Sequence, residues 1–131
     1  MDGFLNVHKP AGLTSHDVVQ RIRKWSREKR VGHGGTLDPT ATGVLPVALG
    51  YGTRLLEFLA GPKIYRGQIE FGTSTDSYDA AGSVLERRDT SGLCRSQVET
   101  SLASYVGELL QKPPLFSAVK YRGKPLYYYA R

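Results

Sequence analysis

Apolar positions divide this chain into a few short elements. Phe4, Leu5 and Val7 predict a strand that ends at Lys9-Pro10-Ala11-Gly12, where proline presets φ and glycine accepts a positive φ. Val18, Val19, Ile22 and Trp25 recur at helical spacing, so a helix is expected over about 15–28, capped by the hydroxyl of Thr14 or Ser15. Gly32 to Gly43 reads as a shaped loop feeding the continuous apolar run Val44-Leu45-Pro46-Val47-Ala48-Leu49, a buried strand. Gly50-Tyr51-Gly52 breaks the pattern, Thr53 caps a short helix through Leu55, Leu56 and Leu59, and Gly61-Pro62 stops it. From Lys63 to Phe71 the period becomes two. Tyr65, Gly67, Ile69 and Phe71 share one face, Ile64, Arg66, Gln68 and Glu70 the other, as in a half-buried strand.

The second half is less regular. Gly72 to Gly82 predicts an irregular loop and Ser83-Val84-Leu85-Glu86 a weak strand. Ser96-Gln97-Val98-Glu99 fits a capping box, with Val98, Leu102, Tyr105 and Val106 as the apolar face of the helix that follows and Gly107 as its stop. Pro113-Pro114 leads in extended form to Leu115-Phe116-Ser117-Ala118-Val119-Lys120, Arg122-Gly123-Lys124 reads as a turn, and Tyr127-Tyr128-Tyr129-Ala130 as the start of a helix. Strands and helices mix without regular βαβ alternation, so the expected class is α+β rather than a doubly wound parallel sheet.

Composition narrows the setting. At 131 residues with 40% hydrophobic content, the chain suits one compact domain with a packed core. The single cysteine, Cys94, excludes an internal disulfide and a cysteine metal site and favours the cytoplasm. The start, Met1-Asp2-Gly3-Phe4-Leu5, lacks the pattern of a signal peptide, and no apolar run is long enough for a bilayer. A net charge of +6 points to a polyanionic partner. Residues 1–66 hold ten Lys or Arg against five Asp or Glu, and residues 67–131 hold eight against seven. Arg21, Arg23, Lys24, Arg27, Lys29 and Arg30 make a dense cluster opposed only by Glu28, expected to form a positive surface just before the loop; such a run also fits the solvated face of a helix.

The loop Gly32-His33-Gly34-Gly35-Thr36-Leu37-Asp38-Pro39-Thr40-Ala41-Thr42-Gly43 carries the chemistry. Pro39 pushes Asp38 towards extended backbone, which holds the carboxylate on a stiffened piece of chain. Neither the Lys-Ser/Thr ending of a nucleotide-binding loop nor a dinucleotide fingerprint is present. His8, His16 and His33 have no metal-ligand spacing, and there is no Gly-x-Ser-x-Gly elbow for a serine nucleophile. What remains is one positioned carboxylate near cations and aromatic rings. An aspartate that attacks a nucleic-acid base or sugar needs the base out of its stack and held against a flat wall. Tyr65, between Lys63 and Arg66, suits such a wall as well as it suits a core tyrosine.

On these residues the chain resembles the TruB family of tRNA pseudouridine synthases. The resemblance rests on Lys9-Pro10-x-Gly12-x-Thr14-Ser15 and on Gly32-His33-x-Gly35-Thr36-Leu37-Asp38-Pro39-x-Ala41-Thr42-Gly43-Val44-Leu45. It continues through Lys63-x-Tyr65, Gly72-x-x-Thr75-Asp76-x-x-Asp79-x-x-Gly82 and Pro113-Pro114-x-x-Ser117-Ala118-x-Lys120-x-x-Gly123-x-x-x-Tyr127-x-x-Ala130-Arg131. It implies a mixed, mainly antiparallel sheet with flanking helices, the pseudouridine synthase fold, incomplete in this chain. It also implies isomerisation of uridine 55 in the T loop of tRNA to pseudouridine, with tRNA as partner through its T stem-loop and with no cofactor, metal or membrane. In that reading Asp38 is the nucleophile, with attack on base C6 or sugar C1′ left open. Tyr65 stacks on the flipped uracil and assists proton removal at C5. His33, Lys63, Arg66 and Lys120 contact the RNA, while Lys9, Pro10, Gly35, Thr36, Leu37 and Pro39 support the catalytic loop.

One departure stands out. The family's later arginine, which pairs with the catalytic aspartate in a Gly-Thr-Tyr-Ile-Arg type segment, does not occur in these 131 residues. Residues 1–131 are therefore expected to be the N-terminal portion of a catalytic domain, lacking the rest of that domain and a C-terminal PUA domain. Alone they should be inactive or nearly so, and a separate chain carrying the missing part would be a partner. The rival readings are a non-catalytic RNA-binding or tRNA-folding module and a guide-dependent relative working in a ribonucleoprotein.

Overall fold

A computed structural model describes residues 1–59, 61–114, 117 and 119–129. The chain divides into two units, Met1–Tyr65 and Arg66–Arg131.

The first unit is built on a three-stranded antiparallel sheet in the order β1-β3-β2: β1 is Gly3–Lys9, β2 is Val31–His33 and β3 is Gly43–Leu49. Register runs from Gly3↔Leu49 to Lys9↔Gly43 on one side of β3 and from Val31↔Leu49 to His33↔Val47 on the other. Helix α1, Ser15–Ser26, joins β1 to β2. Alternation along β1 turns Leu5, Val7 and Lys9 inward, and α1 contributes Val18, Val19 and Ile22. These pack with Val31, Leu45, Val47 and Leu49 as one core, each fully buried Val or Leu adding about 1.5–3 kcal/mol.

Local chemistry fixes the ends of α1. Thr14 caps it, accepting from the Asp17 N–H at 3.0 Å, while Asp17 Oδ2 accepts from the Thr14 N–H at 2.8 Å. The helix stops at Ser26, before the expected residue 28, because Arg27 turns left-handed at φ 56°. Trp25, the last member of the apolar stripe, is 72% exposed. The expected loop begins as strand, since Gly32 and His33 belong to β2, and the run after it is exposed at Val44 and buried only from Leu45. Gly50 to Phe58 forms one 3-10 helix that absorbs the expected break. Gly50 supplies its positive φ of 57°, and the Thr53 hydroxyl donates to the Gly50 carbonyl at 2.8 Å instead of capping a new helix.

Lys63 to Phe71 is not a strand. Ile64, Tyr65 and Ile69 are all exposed, and among the described residues nothing pairs with the segment. Alternation provides two faces, but a strand also needs a neighbour for its N–H and C=O groups.

The second unit holds two hairpins and a helix. β4, Thr73–Thr75, falls inside the expected loop and pairs with β5, Val84–Arg87. Helix α2, Arg95–Ala103, starts ahead of the expected Ser96 cap: Cys94 occupies that position, and Gln97 Oε1 accepts its N–H at 2.9 Å. Tyr105 and Val106 lie beyond its end and are exposed. β6, Lys120–Tyr121, and β7, Lys124–Pro125, are joined through Arg122 and Gly123, both with positive φ as a two-residue hairpin turn requires. A 3-10 turn covers Leu126–Tyr128. The expected run Leu115-Phe116-Ser117-Ala118 and the end Ala130-Arg131 lie wholly or partly outside the described residues. No residue of this unit whose side-chain burial is described is fully buried.

Candidate active site

The loop between β2 and β3 is held by its backbone, and the hold falls on both sides of Asp38. On the N-terminal side, the Ser15 hydroxyl at the start of α1 accepts from the Leu37 N–H at 2.9 Å and donates to the Leu37 carbonyl at 3.3 Å. Leu37 packs its side chain against the core. On the C-terminal side, the Pro39 carbonyl accepts from the Gly12 N–H at 2.8 Å and from Lys9 Nζ at 3.4 Å. The Asp38 carbonyl accepts from the Ala41 N–H at 3.0 Å, closing a turn over Pro39. Gly34 extends the β2–β3 ladder through its N–H to the Pro46 carbonyl at 2.8 Å.

Lys9 is the structural centre of this clamp. It is 0% exposed, and its ammonium also donates to the carbonyls of Leu13 at 2.6 Å and Pro10 at 2.9 Å. Three carbonyl dipoles replace the water that the ammonium gives up on burial. One buried cation thereby ties the turn after β1 to the residue after Asp38.

The carboxylate itself is free. Asp38 is exposed, and among the described residues it enters no ion pair and accepts no hydrogen bond through its side chain. A rigid main chain thus presents an unshielded carboxylate, the arrangement a nucleophile or general base needs. Thr36 and Pro39 are exposed beside it. Gly35 lies under Lys63: a Cβ built on Gly35 would sit 3.7 Å from Lys63 Nζ, which brings a second cation to the loop. His33 is half-buried on β2, with its Nδ1 buried and without a hydrogen-bond partner among the described residues.

The remaining expected site residues come later in the chain. Tyr65 lies in the unpaired stretch, 70% exposed, with no aromatic partner among the described residues. Arg66 and Lys120 belong to the second unit; both are exposed, and Lys120 pairs with Pro125. The basic cluster comes just before the loop in the chain, as expected, but at the other end of the sheet from Asp38. The helix α1 meets the loop at Ser15 and runs away from it, so Arg27, Lys29 and Arg30 come at the Gly3↔Leu49 end of the sheet. Seven residues at 3.3 Å each separate the ends of β3 by about 20 Å. There the Arg30 and Arg54 guanidinium groups each sit 5.3 Å from the Tyr51 ring centre, and Arg23 donates to the Val31 carbonyl at 2.9 Å.

Ser15, Gly12 and Asp17 are the participants that spacing did not single out for these roles. Ser15 was expected only as an alternative to Thr14 for the helix cap and Gly12 only as a turn residue, whereas Thr14 is the cap, and Thr14-Ser15-His16-Asp17 carried the legible signal of a cap closed by an acid three residues on.

The chain matches the family described as TruB family pseudouridylate synthase (N terminal domain) over residues 23–131. It is 55% identical over 131 residues to tRNA pseudouridine synthase B of Synechocystis sp. and 51% identical over 132 residues to that of Dehalococcoides mccartyi, in both cases over the whole chain. It spans 44% of the length of each of these relatives. A solved structure of a Cbf5-Nop10-Gar1 complex superposes with a TM-score of 0.62 at 33% identity, covering 92% of this chain and 31% of that one.

Proposed function

We infer that this chain, which belongs to the TruB family of pseudouridylate synthases, supplies the nucleophile loop of a tRNA pseudouridine synthase acting on uridine 55 of the T loop. The observation that carries the reading is the exposed Asp38 carboxylate on a main chain pinned at Leu37 and Pro39. Relatives named tRNA pseudouridine synthase B support the substrate class. In the reaction Asp38 attacks the base or the sugar of a flipped uridine and the N1–C1′ bond breaks. The uracil then turns, C5 bonds to C1′, the bond between Asp38 and the substrate breaks and returns the carboxylate, the C5 proton leaves and N1 takes up a proton. The product is an isomer, and no oxidant or donor group is consumed.

Tyr65 stacks on the uracil and assists removal of the C5 proton, and His33 contacts the RNA beside the vacated stack. Lys63, Arg66 and Lys120 meet phosphates, which supply affinity without reading sequence. Lys9, Pro10, Gly35, Thr36, Leu37 and Pro39 maintain the loop. Residues 1–131 form the N-terminal portion of the catalytic domain, and activity belongs to the longer protein.

Asp38→Asn in the full-length protein should lower pseudouridine formation at least roughly 10³-fold, the scale lost with a nucleophile. Affinity for a T stem-loop RNA should stay within about threefold, because phosphate contacts do not need the carboxylate. Equal loss of binding and turnover would sink the nucleophile role. One observation favours a second reading, a non-catalytic tRNA-folding module: among the described residues Asp38 forms no ion pair. That reading requires Asp38→Asn to leave the function of the full-length protein intact.

A further inference from the structure

We propose that Ser15 is a positioning residue for Asp38, acting through the main chain of Leu37; the proposal rests on Asp38 being the reacting carboxylate. Ser15 is the first residue of α1 and is 3% exposed. Its ordinary task at a helix start would be capping, but Thr14 already caps the helix and Asp17 holds Thr14 in place. The Ser15 hydroxyl is therefore released for the loop, and it spends both its donor and its acceptor capacity on one residue, accepting from the Leu37 N–H at 2.9 Å and donating to the Leu37 carbonyl at 3.3 Å.

That clip fixes the two peptide planes on either side of Leu37, the second of which leads directly into Asp38. The peptide leaving Asp38 is fixed separately, its carbonyl accepting from the Ala41 N–H at 3.0 Å. Both backbone rotations of Asp38 are thus bracketed by immobilised planes, and Ser15 supplies the first of them. Gly12 and Lys9 act on the Pro39 carbonyl and leave the Leu37 side to Ser15. Without the hydroxyl, the plane before Asp38 is free to rock. A displacement of the carboxylate by about 1 Å is enough to cost on the order of a hundredfold in rate.

The test compares Ser15→Ala, Ser15→Thr and Thr14→Ala in the full-length protein. Amide hydrogen exchange at Leu37 reads the clip independently of function. Single-turnover pseudouridine formation, tRNA affinity and Tm complete the comparison. Ser15→Ala should speed exchange at Leu37 at least about tenfold and slow single turnover roughly ten- to a hundredfold, with tRNA affinity within twofold. Ser15→Thr, which keeps the hydroxyl, should restore most of the rate. Thr14→Ala weakens the helix cap without touching Leu37, so it should lower Tm and leave the rate near wild type. Unchanged exchange at Leu37 in Ser15→Ala overturns the proposal. So does a rate loss in Thr14→Ala equal to that in Ser15→Ala, which would make helix stability the cause. An inactive wild-type protein would refute the pseudouridine synthase reading and the proposal with it, whereas an active wild type with a fully active Ser15→Ala refutes the proposal alone.

Discussion

Lys9 places a full positive charge where the alternation of β1 turns a side chain inward, and it meets carbonyls there instead of a carboxylate. Two effects oppose each other when it is removed. Lys9→Met relieves the cost of a buried ammonium, but it strips the carbonyls of exposed Pro10 and half-buried Leu13 of their donor, against a cost of about 1–3 kcal/mol for a fully buried unpaired group. Pro39 loses less, since Gly12 still donates to its carbonyl. Lys9→Met should therefore destabilise the first unit by roughly 2 kcal/mol, read from the midpoint of urea unfolding. A neutral or stabilising result would mean that the ammonium is a net burden. The inward place of Lys9 was legible in the sequence, because Leu5, Val7 and Lys9 continue one period of two. Its distant partner was not, since the Pro39 carbonyl, 30 residues on, comes near only in the fold.

At the scale of elements, acid should act through caps and turns. The Thr14 hydroxyl and N–H both donate to Asp17, holding its carboxyl below the usual value of 3.8. Asp79 is lowered by the Ser77 hydroxyl and Asp89 by that of Ser91. A depressed folded value means that the stabilisation is fully present above 3.8 and lost as pH falls through the folded value. Asp17→Asn should lower Tm at neutral pH, and its difference from wild type should shrink steadily as pH drops below 3.8; a difference constant with pH would show that the charge is irrelevant to the cap. Elements with local causes were the legible ones. The helix start at Thr14 and the turn at Arg122-Gly123 each rest on residues near in sequence, and the alternation around Leu5 and Val7 was legible although its pairing with β3 was not. Where pairing or capping chemistry decided, pattern misled. Lys63 to Phe71 alternates without a partner among the described residues, Thr73–Thr75 becomes strand because Val84–Arg87 lies opposite, and Cys94 displaces Ser96 as the cap. The candidate site divided in the same way. Asp38 was legible as a stiffened carboxylate before proline, while the grip of Ser15 on Leu37 spans 22 residues and needs the fold to become visible.

Over the whole molecule, burial is unequal. The cluster of Val18, Val19, Val31, Leu45, Val47 and Leu49 belongs to Met1–Tyr65, whereas no residue of Arg66–Arg131 whose side-chain burial is described is fully buried. Hairpins of two to four residues per strand and a helix of nine are too short to stand without a surface to pack on. The Asp38 clamp needs only the first unit, because Lys9, Gly12, Ser15, Leu37 and Pro39 all lie within it. Isolated residues 1–131 should therefore show protected amides in β1, β3 and α1 and at Leu37 in the clamped loop, while the described amides of residues 66–129 exchange within about tenfold of the unfolded rate. The same sample should bind T stem-loop RNA weakly and form no measurable pseudouridine, since Asp38 would be positioned without the cation expected to face it. Turnover by residues 1–131 at a rate near that of a full-length relative would show that the first unit carries the chemistry unaided. Strong protection across residues 66–129 would show that the second unit finds a core of its own.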